Sequence, residues 1–258
     1  MPFVIAAGRR LEYELIDDAR DAPWIVFLHE GLGSRAMWKD FPARLCNACG
    51  CRGIVYSRYG YGESDPLDAP RAVAFMHHEA EDSLPDLLDA LGVDAPILFG
   101  HSDGGSIALL HASLAARPVH AVVVMAPHVL VEDVSIRSIE AAKVTYETTD
   151  LRDKLRRYHA DPDSAFRGWN DIWLHPEFRD WNIEDCLPGI RAPILAIQGE
   201  DDEYGTMEQI ERIARGAVNA RVTLLPLADC GHSPHRDQPE KVIAAVRAFI
   251  DCIRSAGR

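Results

Sequence analysis

The chain has 258 residues, 47% hydrophobic and 26% charged, with a formal net charge of −13. That length holds one large domain with a well-buried core, its negative field opposes binding to a phosphate backbone, and no apolar run nears the roughly 20 residues that cross a bilayer. No nucleic-acid or membrane partner is therefore expected.

A short apolar run, Phe3 to Ala7, comes before Arg9 and Arg10. A secretory signal has the reverse order, so a cytoplasmic location is expected. Leu11 to Ile16 alternates apolar with polar residues and reads as a half-exposed strand. Trp24 to Leu28 is a continuous apolar run and the first buried strand. It ends in His29-Glu30-Gly31-Leu32-Gly33-Ser34. Glycines after an early strand let backbone N–H groups face a carbonyl oxygen, and one such donor contributes about 3 kcal/mol to a transition state. The plain alternative is a turn that uses glycine for its backbone freedom.

Cys46, Cys49 and Cys51 lie where a helix ends before the strand Ile54 to Tyr56. Half a zinc site has this look, but no second half with suitable spacing follows, so these read as buried or turn thiols and no metal is expected. A helical pattern covers 71–91. Ile97 to Phe99 then runs into Gly100-His101-Ser102-Asp103-Gly104-Gly105, and a helical pattern over 104–116 follows at once. Strand, G-x-S-x-G and helix in that order place a serine on a sharp turn above a sheet. Glycines at the flanking positions remove collisions with neighbouring backbone. The N–H of Asp103 and the positive helix end face a developing oxyanion. A phosphate loop would need G-K-[ST], which is absent here.

Val119 to Met125 is the next strand. From 129 to 187 no core strand is evident; charged helical patterns fill the stretch, with Lys143, Arg152, Lys154, Arg156 and Arg157, and with Trp169, Trp173 and Trp181. An insertion of this length reads as a helical lid. Trp169 and Trp173 are four apart, on one helix face, where they either shape a pocket or simply pack. Ile194 to Ile197 returns to the sheet and ends in Gln198-Gly199-Glu200-Asp201-Asp202-Glu203. A serine nucleophile needs a base and the base an orienting acid, in the order Ser, Asp/Glu, His, each just beyond a strand. Spacing leaves Asp201 and Asp202 level. After a helix at 206–215 and a strand at Arg221 to Leu225 comes Cys230-Gly231-His232-Ser233-Pro234-His235, with a final helix at 238–254. His232 is the candidate base, with His235 as its rival. His77, His78, His111, His128, His159 and His175 fall in helical or lid patterns.

This rhythm predicts a doubly wound, mostly parallel sheet of about eight strands. The core is expected at 1–128 and 188–258, with the helical lid at 129–187 after the sixth strand.

Five segments in order then resemble the α/β-hydrolase superfamily: the His29 loop, Arg58-Tyr59-Gly60-Tyr61-Gly62-Glu63-Ser64, the Ser102 elbow, the Gly199–Asp202 corner and Gly231-His232. The resemblance implies Asp202 as acid, three residues after Gly199, and His232 as base, directly after a glycine. It implies Gly31 and Asp103 as oxyanion donors. Family members carry glycine where this chain has Glu30, which leaves the register of that loop open. The elbow also looks like the valacyclovirase-like (biphenyl-hydrolase-like) branch, in which an aspartate after the nucleophile binds the amino group of aminoacyl esters. Asp103 matches it; a helix-start acid is the plain alternative.

The expected function is hydrolysis of a small-molecule carboxylic ester through an acyl-enzyme, with no cofactor. Asp103, Trp169 and Trp173 would contact substrate, and the protein would be a monomer or homodimer. Alternatives are aminoacyl-ester hydrolysis, C–C bond hydrolysis or a lyase step with the same residues, and a non-catalytic ligand receptor.

Overall fold

A computed structural model describes residues 2–17 and 21–256. One eight-stranded sheet runs through it. Its strands are β1 (Phe3–Ala6), β2 (Arg9–Ile16), β3 (Trp24–Leu28), β4 (Arg52–Tyr56), β5 (Ile97–His101), β6 (Ala121–Met125), β7 (Ile194–Gly199) and β8 (Val222–Leu227). They lie in the order β1-β2-β4-β3-β5-β6-β7-β8. β1 and β2 pair antiparallel, β2 is antiparallel to β4, and every later pairing is parallel. The one strand absent from the sequence reading is β1. Its four residues alternate in exposure at the sheet edge, a signal too short for periodicity to register.

The alternation of side chains along each strand divides the core in two. Val26, Leu28, Leu98, Val122 and Val124 face one side, against Leu84 and Leu87 and against Ile107 and Leu110. Ile25, Phe27, Phe99, Val123 and Ile197 face the other, against Phe41, Leu45, Val246 and Ile250. Both faces are thus covered, as the unbroken apolar runs required.

The helices are α1 (Phe41–Cys49), α2 (Phe75–His78), α3 (Leu84–Ala90), α4 (Asp103–Leu114), α5 (Asp133–Thr148), α6 (Leu151–Leu155), α7 (Pro162–Trp173), α8 (Glu208–Gly216), α9 (Pro234–Asp237) and α10 (Pro239–Ala256). A π-helical segment, Glu79–Ser83, joins α2 to α3, so the helix expected at about 71–91 is one column with a bulge that starts only at Phe75. The cysteine cluster ends α1. Gly50 adopts φ +59°, a left-handed cap, and Cys51 N–H then bonds back to Cys46 O at 3.0 Å. Cys46, Cys49 and Cys51 are buried thiols of the second core face. Among the described residues no group of three metal-ligating side chains gathers, and no helix is long and apolar enough to cross a membrane.

Between β6 and β7 the chain adds no strand to the sheet; a lone bridge joins Leu130 to Asn182. α5, α6 and α7 fill this insertion. Asp161 starts α7 by accepting the Ser164 N–H at 3.0 Å, with Pro162 in the first turn. The apolar side of α7, with Phe166, Trp169, Ile172 and Trp173, joins the core on the α4 side of the sheet.

Candidate active site

The site assembles at the carboxyl ends of β3, β5, β7 and β8, where ligands collect in open parallel sheets. β5 ends directly in Ser102, whose φ is +52° and ψ −121°. A non-glycine residue there is strained, and the surroundings must hold it. They do so by close backbone contact. A β-carbon at Gly100 would stand 2.2 Å from Gly104 O, and one at Gly104 would stand 2.1 Å from Leu28 O. Only glycine at both positions lets β5, the turn, α4 and β3 approach this closely.

The structure brings Ser102, His232 and Asp202 together from three distant stretches. His232 Nε2 lies 2.9 Å from Ser102 Oγ, and His232 Nδ1 lies 2.9 Å from each Asp202 carboxylate oxygen. Asp202 also accepts hydrogen bonds from Gln198 Nε2 at 2.7 Å and from the Tyr204 and Gly205 N–H groups at 2.7 and 3.2 Å. Burial opposes its charge, but the His232 charge and these hydrogen bonds hold the carboxyl below its ordinary value. Burial likewise opposes the His232 imidazolium, and Asp202 outweighs it, so His232 is raised above its usual value. Of the four acids at this corner, Asp202 alone reaches the ring. Asp201 is exposed, and its N–H bonds to Cys230 O at 3.0 Å. Glu203 accepts the His232 main-chain N–H at 3.2 Å.

The rival histidine is packing. His235 is buried against Trp38, Phe41 and His101, with ring centroids 4.9, 5.6 and 4.9 Å away. Burial and the nearby His101 hold it well below the usual histidine range.

Gly31 lies beside the residue that follows Ser102. A β-carbon there would stand 3.0 Å from Asp103 Oδ2 and 2.2 Å from Trp169 Cδ1. The loop is pinned by His29, whose Nε2 accepts the Arg58 N–H at 3.0 Å while Nδ1 donates to Glu30 O at 2.7 Å. Glu30 turns its carboxylate toward His101 and Arg236. Asp103 is 1% exposed. Its Oδ1 accepts Trp173 Nε1–H at 3.1 Å, and its Oδ2 has no partner among the described residues. Burial pushes this carboxyl up, against the pull of the Arg58 guanidinium. Trp169 and Trp173 are both buried, Trp169 beside Gly31 and Trp173 on Asp103, and Ser102 is 6% exposed.

Several neighbours were given no role at the site by the sequence, although Arg58 opens one of the segments that carry the family resemblance. His128 packs 4.9 Å from Trp173 and 5.9 Å from His232, and burial pushes it down to about 3. Tyr204 packs tilted against His232, with ring centroids 4.7 Å apart, two residues after Asp202. Arg58 is fully buried; its Nη2 donates to Glu30 O at 2.9 Å, while Nε and Nη1 have no partner among the described residues.

Among solved structures, a thermophilic esterase from Thermogutta terrifontis superposes with a TM-score of 0.75 at 21% identity, covering 98% of this chain and 99% of that one. In sequence the chain is 26% identical over 178 residues to serine hydrolase BPHL of Homo sapiens, which is 67% of this chain but 61% of that protein's length. It is 23% identical over 267 residues to the 2-hydroxy-6-oxo-6-phenylhexa-2,4-dienoate hydrolase of Comamonas testosteroni, covering 92% and 90% of the two chains. Residues 25–245 match the model of the alpha/beta hydrolase family, and with that match over most of its length the chain belongs to this family.

Proposed function

We propose that the protein is a serine hydrolase that cleaves a small carboxylic ester through an acyl-enzyme. The observation that carries this reading is the unbroken contact from Asp202 through His232 to Ser102, at 2.9 Å on each side of the ring. A serine hydroxyl alone is a weak nucleophile, and an adjacent base oriented by a carboxylate activates it. Ser102 Oγ attacks the ester carbonyl as His232 Nε2 takes its proton. The N–H groups of Gly31 and Asp103 hold the oxyanion. Collapse expels the alcohol, which takes the proton from His232. Water then attacks the acyl-enzyme with His232 again as base, and the acid leaves. Helix α7 and the rest of the insertion act as a lid, with Trp169 and Trp173 shaping the acyl pocket.

A second reading concerns substrate class. Asp103 Oδ2 is buried and without a hydrogen-bond partner among the described residues, beside Gly31, and would accept a hydrogen bond from a substrate amino group. This supports aminoacyl esters, the class expected from the resemblance to the valacyclovirase-like branch.

The test is the Ser102→Ala variant on short p-nitrophenyl esters. Its kcat is expected to fall by at least about 10⁴-fold, with an unchanged circular dichroism spectrum. Wild-type turnover would overturn the proposal. The same assay run on amino-acid esters and on meta-cleavage diketone acids ranks the substrate classes.

A further inference from the structure

Glu30 stands where the family pattern has glycine, and its side chain is 17% exposed. It folds back beneath its own turn: a β-carbon at Gly33 would stand 2.4 Å from Glu30 Oε2, so that glycine leaves the room the carboxylate occupies. Oε2 lies 3.4 Å from His101 Nδ1, and Oε1 lies 3.4 Å from Arg236 Nη2. His101, whose side chain is 1% exposed, places Nε2 at 2.6 Å from the main-chain oxygen of His232. A carbonyl only accepts, so Nε2 carries a hydrogen. Nδ1 then faces the Glu30 carboxylate across 3.4 Å, with no hydrogen-bond partner among the described residues. The other groups packed on this ring are Trp38, His232 and His235, at centroid distances of 6.2, 5.1 and 4.9 Å.

Each member of this chain of contacts adjoins a residue of the proposed machinery. Glu30 precedes Gly31, His101 precedes Ser102, and the third member is the backbone of His232 itself. We infer that Glu30 and His101 are positioning residues that brace the His232 loop against the Ser102 elbow. Asp202 orients the imidazole ring, while the Glu30–His101 brace sets where the ring's backbone stands. A loop-borne base needs both, since a displacement of about 1 Å costs on the order of 10²-fold in rate. This rests on the Ser102–His232–Asp202 reading above and adds to it two residues outside the triad.

The experiment compares His101→Leu, His101→Gln and Glu30→Gly on a neutral p-nitrophenyl ester, with melting temperatures and proton NMR of the downfield His232 Nδ1–H. His101→Leu is expected to lower kcat by about 10- to 100-fold with KM within about twofold, and to broaden the downfield resonance. His101→Gln keeps an amide donor for the His232 carbonyl and recovers most of kcat and the sharp resonance. Glu30→Gly lowers kcat by about tenfold. Wild-type kcat in both His101→Leu and Glu30→Gly overturns the inference. So does a lowered melting temperature with kcat and resonance intact, which is the mark of a merely structural role. If His101→Leu does not fold, Glu30→Gly decides by the same criteria. Ser102→Ala runs in parallel: if it turns over ester like wild type, the triad reading has failed, and if it is inert while the brace variants match wild type, the brace alone has failed.

Discussion

Asp202 is the residue whose job is defined most narrowly by its contacts. It lies against both the ring nitrogen of His232 and the N–H groups of Tyr204 and Gly205, so it fixes the imidazole in one tautomer and one orientation. An Asp202→Asn change keeps the shape and inverts the hydrogen bonding. Its kcat is expected to fall by roughly 10⁴-fold, read by steady-state ester hydrolysis. The pH profile gives the sign. A base must be unprotonated to act, and His232 is raised above its usual value, with Asp202 outweighing burial. The acid limb of kcat/KM is therefore expected above the ordinary histidine value in the wild type, and at lower pH in the variant. An acid limb that stays in place would show that another group titrates.

The strand–turn–helix element around Ser102 depends on missing side chains. The β-carbon that Gly104 lacks would meet the Leu28 carbonyl oxygen at 2.1 Å, and backbone cannot swing aside as a long side chain can. Gly104→Ala should therefore part α4 from β3, at a cost of about 1–3 kcal/mol in urea unfolding. The same movement would carry the Asp103 N–H away from Gly31, so ester turnover should fall in the fraction that remains folded. Unaltered stability would mean that the elbow is looser than its contacts indicate. This element was also the most legible in the sequence. A strand, two spaced glycines and an immediate helix describe a turn whose sterics are local, so the sharp turn at Ser102 is legible from the chain alone. The neighbouring acidic corner was less legible. Asp201 and Asp202 differ by one position, and which one turns inward depends on where β7 ends and on Gln198 and Tyr204 receiving the carboxylate.

At the scale of the molecule, the site is surrounded by histidines held neutral by burial. His128 is pushed down to about 3 and His159 to about 4, while His29 and His235 lie well below the usual range. In the unfolded chain these rings take up protons below about pH 6.5, which the native state refuses. Stability is therefore present above that pH and falls on acidification, by up to about 1.4 kcal/mol per pH unit for each such ring. His232 and Asp103, both raised in the native state, oppose the trend, while the buried His111 adds to it. Denaturant midpoints at pH 7.5, 6 and 5 should decrease in that order, and a midpoint independent of pH would contradict the burial of these rings.

What the sequence determined by itself was whatever depends on neighbours along the chain. Unbroken apolar runs specified strands covered on both faces. The glycines around Ser102 specified a tight turn between a strand and a helix. The order of serine, acid and histidine specified which loops should meet. The short β1, the π bulge after α2 and the choice between Asp201 and Asp202 were decided by tertiary packing, because each depends on atoms that the chain brings in from elsewhere. The same holds for Glu30 and His101. One stood as a departure from a family pattern and the other as a motif letter, and only folding placed a carboxylate, an imidazole and the His232 carbonyl in line. Contacts between residues roughly seventy to one hundred and thirty positions apart have no signature in spacing; they exist only once the sheet has fixed the loops that carry them.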